Sequence, residues 1–162
     1  MKIGVFRIDD RLIHGQVITS WISYADATTV VVADDKAATD DFQRALLKMA
    51  TPDSVKLKVL SVADAVELVK DDAGQGRALV LVRGPQQALE FVRAGVELGS
   101  INVGNMNMKK GKTKVLGNMW VFPEDVEAIK AIQAAGVSLE VRAVPNDHSQ
   151  DVATLLKKAD LL

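Results

Sequence analysis

Two stretches of the chain, Val30-Val31-Val32 and Leu79-Val80-Leu81-Val82, are apolar at every position. A strand wetted on one face alternates apolar and polar residues. A solid run instead marks a strand covered on both faces, as in a parallel sheet. Lys2–Asp9, Thr28–Ala33, Lys56–Ser61, Ala78–Arg83 and Ser100–Val103 read as strands, and several of them are solid apolar runs. Between them, apolar residues recur at helical spacing. Val17, Ile18, Trp21 and Ile22 share one face, Phe42, Leu46 and Met49 another, and Leu89 and Val92 a third. Val126, Ile129 and Ile132 mark a helix that Pro123 opens, and Val152, Leu155, Leu156 and Ala159 mark a last one.

This order predicts an α/β fold: an open, doubly wound, mainly parallel sheet with helices on both faces. No linker or internal repeat interrupts it, so residues 1–162 are expected to form a single domain. Val137, Leu139, Val141 and Ala143 alternate with Ser138, Glu140 and Arg142. That period of two implies one wetter face at a sheet edge, and the fold is expected to carry an antiparallel edge. Val115–Phe122 reads as one further strand.

Composition narrows the function. Lys plus Arg number 20 and Asp plus Glu 21, a net charge of −1, which leaves no broad electrostatic footprint for nucleic acid. Cysteine is absent, so thiol catalysis and Cys-ligated metal sites are excluded, and a cytoplasmic protein is expected. The apolar stretch Ile3–Phe6 is closed by Arg7, too short for a secretion signal. No run approaches the ~20 residues that span a bilayer. Direct membrane insertion is not expected, and any membrane role passes through a partner.

Doubly wound sheets place ligand sites beyond the carboxyl ends of their strands. The loops of interest are Asp9–Gly15, Asp34–Ala38, Gly84–Gln86 and Gly104–Lys114. The first contains His14, one of 2 histidines, beside Gly15 and three residues after Arg11. A neutral imidazole is a nucleophile able to form a covalent intermediate. Were the group phosphoryl, Arg11 would supply a planar fork and the following helix its free N–H groups. Asp9 or Asp10 would orient Arg11 or the imidazole. Local chemistry leaves two readings open: a phosphoryl acceptor, or a histidine merely solvated in a charged loop.

The segment Arg7-Ile8-Asp9-Asp10-Arg11-Leu12-Ile13-His14-Gly15-Gln16-Val17 resembles the active-site segment of IIB components of the mannose/sorbose family of the sugar phosphotransferase system. Ala33-Asp34-Asp35 and Ile101-Asn102-Val103-Gly104-Asn105-Met106 are weaker echoes, and the resemblance covers essentially the whole chain. It implies a stand-alone IIB subunit, a phosphocarrier that needs no cofactor or metal. His14 matches the histidine that accepts phosphoryl on Nδ1 from a phosphorylated IIA protein. The group then passes to a sugar held by membrane IIC/IID permease subunits, which hold the chain at the inner face of the membrane. Arg11 matches the phosphoryl-stabilising arginine, and Asp9 an orienting acid. Gly15, Gln16, Asn102 and Gly104 are candidate phosphoryl-binding positions, although a structural turn explains the last pair equally well.

Other features carry less. Gly111-Lys112-Thr113 lacks the first glycine of a P-loop, because position 106 is methionine. The lysines from Lys109 to Lys114 read as a solvated basic turn or as a docking patch for an acidic partner. Asp35 reads as a rim residue or helix cap, and Gly84-Pro85 as a turn. His148 precedes the last helix, where Asp147 or Ser149 is expected to cap. A non-catalytic flavodoxin-like regulatory domain and a hydrolase with His14 as base are the competing readings. No GxSxG elbow supports the hydrolase.

Overall fold

A computed structural model describes residues 1–71 and 73–162. The elements run β1 (Lys2–Asp9), α1 (Val17–Ala25), β2 (Thr29–Ala33), α2 (Asp35–Ala38), α3 (Asp41–Ala50), β3 (Lys56–Leu60), α4 (Val62–Lys70) and β4 (Arg77–Val82). They continue as α5 (Pro85–Arg93), β5 (Ser100–Asn105), β6 (Thr113–Leu116), β7 (Met119–Val121), α6 (Pro123–Ala134), β8 (Ser138–Val141), β9 (Gln150–Asp151) and α7 (Val152–Lys158).

The sheet has the order β3-β2-β4-β1-β5-β8-β9. All its pairings are parallel except the last, in which Val141 faces Gln150 on antiparallel β9. The mainly parallel, doubly wound sheet with an antiparallel edge is as expected, but the edge is β9, and the alternating strand β8 lies one place inside it, parallel to β5. The solid runs behave as their composition demands. In β2, Val31 and Ala33 face the core beneath α4–α7, while Val30 and Val32 face that beneath α1–α3. Val30, Val31, Val32 and Leu79 through Val82 are all fully buried. Each such side chain contributes about 1.5–3 kcal/mol by leaving water.

Three expectations fail, each for a local reason. Val115–Phe122 is not one strand. Thr113–Leu116 and Met119–Val121 pair with each other as an antiparallel hairpin outside the main sheet, turning at Gly117-Asn118. The apolar stripe of α3 faces outward, with Phe42 71%, Leu46 49% and Met49 83% exposed. Leu47 is the buried residue of that helix, and Gln43 is tied by Arg83 Nη2 at 3.0 Å. Those inward ties fix the helix's rotation against its own apolar stripe. Finally, neither Asp147 nor Ser149 caps the last helix. Strand β9 intervenes, and Asp151 accepts from Thr154 N instead. Asp147 accepts from the backbone N–H groups of Ala143 and Val144, closing the turn after β8.

Candidate active site

Strand β1 lies at the centre of the sheet, between β4 and β5. Its residues alternate by face. Phe6 and Ile8 enter one core, which places Arg7 and Asp9 together on the side of α1. Arg7 is 2% exposed. Its Nη1 donates to Asn102 Oδ1 at 2.6 Å and to the Arg142 carbonyl at 3.0 Å. Its Nη2 donates to Asp9 Oδ2 at 3.3 Å and to the Ala143 carbonyl at 3.1 Å. The guanidinium also stacks 4.8 Å from the Trp21 ring centroid. Burial pulls its pKa down and Asp9 opposes that pull. A buried guanidinium needs this degree of pairing to be tolerated.

Asp9 turns from Arg7 to the loop. Its Oδ1 accepts from Arg11 N at 2.9 Å and Arg11 Nε at 3.1 Å, and its Oδ2 from Arg11 Nη2 at 3.1 Å. This hydrogen bonding pushes the Arg11 pKa up. Arg11 is therefore a fixed cation. Its Nη1 takes no partner among the described residues, and its side chain is 33% exposed. The backbone then reverses. Leu12 has φ +59° with its side chain buried, and Gly15 has φ +52° with open space where a Cβ would stand. Leu12 and Ile13 anchor in the core beneath α1, and His14, Gly15 and Gln16 emerge exposed. Leu12 holds a left-handed conformation costly for a leucine because its burial over-determines it.

Gln16 is the N-cap of α1 and makes no side-chain cap, and the first turn holds no acid. Asp10 points the other way from Asp9. Its carboxylate accepts from Asn105 Nδ2 at 2.8 Å and Asn107 N at 2.6 Å, and its carbonyl from Arg83 Nη1 at 3.0 Å.

His14, Arg7 and Asp9 line one narrow crevice with Trp21. Arg11 joins them through Asp9. Asn102 and Gly104 are committed elsewhere. Asn102 is 4% exposed, and Nδ2 donates to Glu140 Oε1 at 3.0 Å and the Arg142 carbonyl at 3.3 Å. A Cβ on Gly104 would overlap the Arg7 guanidinium. Both therefore lie against Arg7. The helix cap expected of Asp35 belongs to Asp34, which accepts from Ala37 N, while Asp35 accepts from Val62 N at the start of α4. Gly84 and Pro85 are the N-cap and first position of α5 rather than a free turn. Among the described residues, no group of three or more His, Asp or Glu is placed to hold a metal ion.

Arg7 lies in a strand, outside the loops where site residues are expected. The signal was present: a charged residue two positions before Asp9 in a central strand must find buried partners. Arg142, which stacks over Trp21 at 5.3 Å and pairs with Glu140, was equally unmarked.

The molecule is thus a doubly wound α/β protein that raises an exposed histidine and a clamped arginine at the carboxyl end of its central strand. The model of the PTS system sorbose subfamily IIB component family matches residues 3–162, and the chain belongs to that family. It is 37% identical over 161 residues to the mannose-specific EIIAB component of Escherichia coli K12, covering 99% of this chain and 50% of that protein. The chain therefore spans about half the length of that relative. It is 34% identical to the sorbose-specific EIIB component of Klebsiella pneumoniae, with 94% of this chain and 93% of that protein covered. The crystal structure of the IIBSor domain of the Klebsiella pneumoniae sorbose permease superposes with a TM-score of 0.93 at 32% identity, covering 98% of each chain.

Proposed function

We propose that this chain is a histidine phosphocarrier in sugar uptake, accepting phosphoryl on His14 from a phosphohistidine of a IIA protein. The observation that carries the reading is the loop itself: an exposed histidine directly before an uncapped, acid-free helix start, beside Arg11 held by Asp9. Free N–H groups and the helix dipole favour an anion there. Gly15 and Gln16 supply the backbone of that helix start. The unpartnered Nη1 of Arg11 supplies a further donor.

In the first step the lone pair of His14 Nδ1 attacks phosphorus. The donor's P–N bond breaks as the new one forms, and the donor leaves as neutral imidazole. In the second step a sugar hydroxyl oxygen attacks phosphorus, the His14 P–N bond breaks, and the hydroxyl proton passes to water. Both steps need in-line positioning and charge stabilisation, and no cofactor. The sugar is held by IIC/IID permease subunits in the membrane, which the chain meets from the cytoplasmic side, with residues 1–162 acting as one unit. No helix among the described residues is long and apolar enough to cross a membrane, so that contact is with the subunits.

Intact-mass measurement after incubation with a phosphorylated IIA protein tests the assignment. Wild type gains an acid-labile phosphoryl adduct and His14→Ala gains none. An adduct on both moves the site to His148. No adduct on folded wild type, with the donor verified as phosphorylated, favours the non-catalytic regulatory domain.

A further inference from the structure

The lysines of the segment after β5 do more than solvate a turn. Asn107-Met108-Lys109-Lys110-Gly111-Lys112-Thr113-Lys114 holds four lysines and no acid, in a chain whose net charge is −1. Lys109, Lys110 and Lys114 are exposed, and none forms an ion pair with a described residue. Lys112 is used internally. Its Nζ donates to the Asn107 carbonyl at 3.0 Å and lies 5.3 Å from the Phe122 ring centroid, and its N donates to the Lys109 carbonyl at 3.0 Å. Gly111, at φ +91°, closes the turn. The other lysines are therefore presented by a shaped loop rather than a loose one.

That loop is joined to the phosphoryl loop. Asp10, the neighbour of Asp9 and Arg11, accepts from Asn107 N at 2.6 Å and Asn105 Nδ2 at 2.8 Å. A recess of about 240 Å³ opens at the junction, lined by Asp10, Arg83, Gln86, Gln87, Lys109 and Lys112 among others. Its acids are already accepting hydrogen bonds, Asp10 from Asn107 and Asn105, and Asp125 from Gln86 and Phe122 N. Arg83 is spent as well, on Asp34, the Asp10 carbonyl and Gln43, so the free charge at the rim is the Lys109 ammonium, next to the partly used Lys112. Beside it stands Met108, 68% exposed, an apolar contact amid the charge.

We propose that this surface, Met108–Lys114 with its recess, docks the phosphoryl-donating protein, and that the donor meets it with a carboxylate-rich face. The proposal rests on the reading of His14 as phosphoryl acceptor. Apolar Met108 stands among the exposed lysines, and Lys109 sits at the rim of a recess, so the surface suits a protein face that sets carboxylates around an apolar contact, whereas a lipid headgroup layer would meet the charge alone. Charge complementarity of this kind raises encounter rates and weakens with salt, as a short-lived carrier complex requires.

The test combines Lys109→Gln, Lys110→Gln and Lys114→Gln and leaves Lys112 in place. Phosphorylation of His14 is timed with a phosphorylated IIA protein at low and high salt, and separately with phosphoramidate. The small donor transfers its phosphoryl to the imidazole and releases ammonia, with no docking face. The triple variant is expected to lose roughly tenfold in kcat/KM with the protein donor at low salt. Its rate at saturating donor and its rate with phosphoramidate stay at wild-type values, and its dependence on salt flattens. Unchanged kcat/KM and salt dependence in the folded variant overturns the docking surface while leaving His14 intact. Loss of binding to vesicles rich in anionic phosphatidylglycerol, without change toward the protein donor, assigns the lysines to the membrane and overturns it too. No adduct at His14 of wild type from either donor overturns the phosphoryl reading, and this surface with it.

Discussion

Arg7 and His14 sit on one short segment and are held by opposite means. Arg7 lies behind Trp21, with its Nη atoms donating to Asn102, Asp9 and the carbonyls of Arg142 and Ala143. His14 stands exposed between two left-handed residues, Leu12 and Gly15. The first arrangement stores stability in a paired buried charge. The second keeps a side chain free of partners so that a phosphoryl group and a second protein can reach it. Asp9 joins them, facing Arg7 below and Arg11 above. The segment thus divides into a footing that should answer to thermodynamics and a tip that should answer to kinetics.

The sharpest way to break that division is Arg7→Met. It removes one cation, leaves Asn102 Oδ1 without a donor, and takes one of two donors from each of the Arg142 and Ala143 carbonyls, which keep Asn102 Nδ2 and Trp21 Nε1. Breaking a buried charged network from one side costs about 3–5 kcal/mol, read by urea unfolding. A loss below ~1 kcal/mol would mean that the footing is not a structural unit. Gly104→Ala attacks the same place from β5, since its Cβ would press on the Arg7 guanidinium. Overpacking of this kind costs roughly 1–3 kcal/mol. Combined with Arg7→Met, it should add less than its own cost, because the shorter, uncharged side chain gives way. Full additivity would show that the two residues do not share a site.

Gly15→Ala belongs to the tip. At φ +52° an L side chain is strained, yet nothing stands where its Cβ would go. The cost is about 1–2 kcal/mol of backbone conformation. The expected signature is a modest fall in stability with a larger fall in the rate of phosphoryl acceptance, because the turn that presents His14 relaxes. Equal stability and equal rate would remove Gly15 from the site.

The two halves were also unequally legible in the sequence. His14 and Arg11 could be read because loops beyond strand ends lie where side chains are free to act, and their chemistry is local. Arg7, Asn102 and Gly104 could not be assigned, because the contacts that join Arg7 to the other two cross 95 or more residues of chain, as in the Arg7–Asn102 bond. Only the pairing of β1 with β5, Arg7 opposite Asn102, brings them together. The parallel core was readable from Val30–Val32 and Leu79–Val82, since burial on both faces is a composition signal. The apolar stripe of α3 misled because periodicity reports amphipathicity without saying which face is inward. Leu47 and the Gln43–Arg83 bond settled that, and neither belongs to the stripe.

His14→Ala is the smallest perturbation of the fold and the largest of the chemistry, so it tests the division from the other end. The side chain is exposed, and no hydrogen bond or ion pair ties it to a described residue. Removing such a side chain changes stability by no more than ~0.5 kcal/mol. Phosphoryl acceptance should nevertheless be abolished, because no other group on the tip carries a nucleophilic nitrogen beside Arg11. Urea unfolding and intact mass, run on the same preparation, read the two effects separately. Should His14→Ala unfold the protein as readily as Arg7→Met, the tip would be part of the footing. The exposed turn would then have a structural duty that its open surroundings do not suggest.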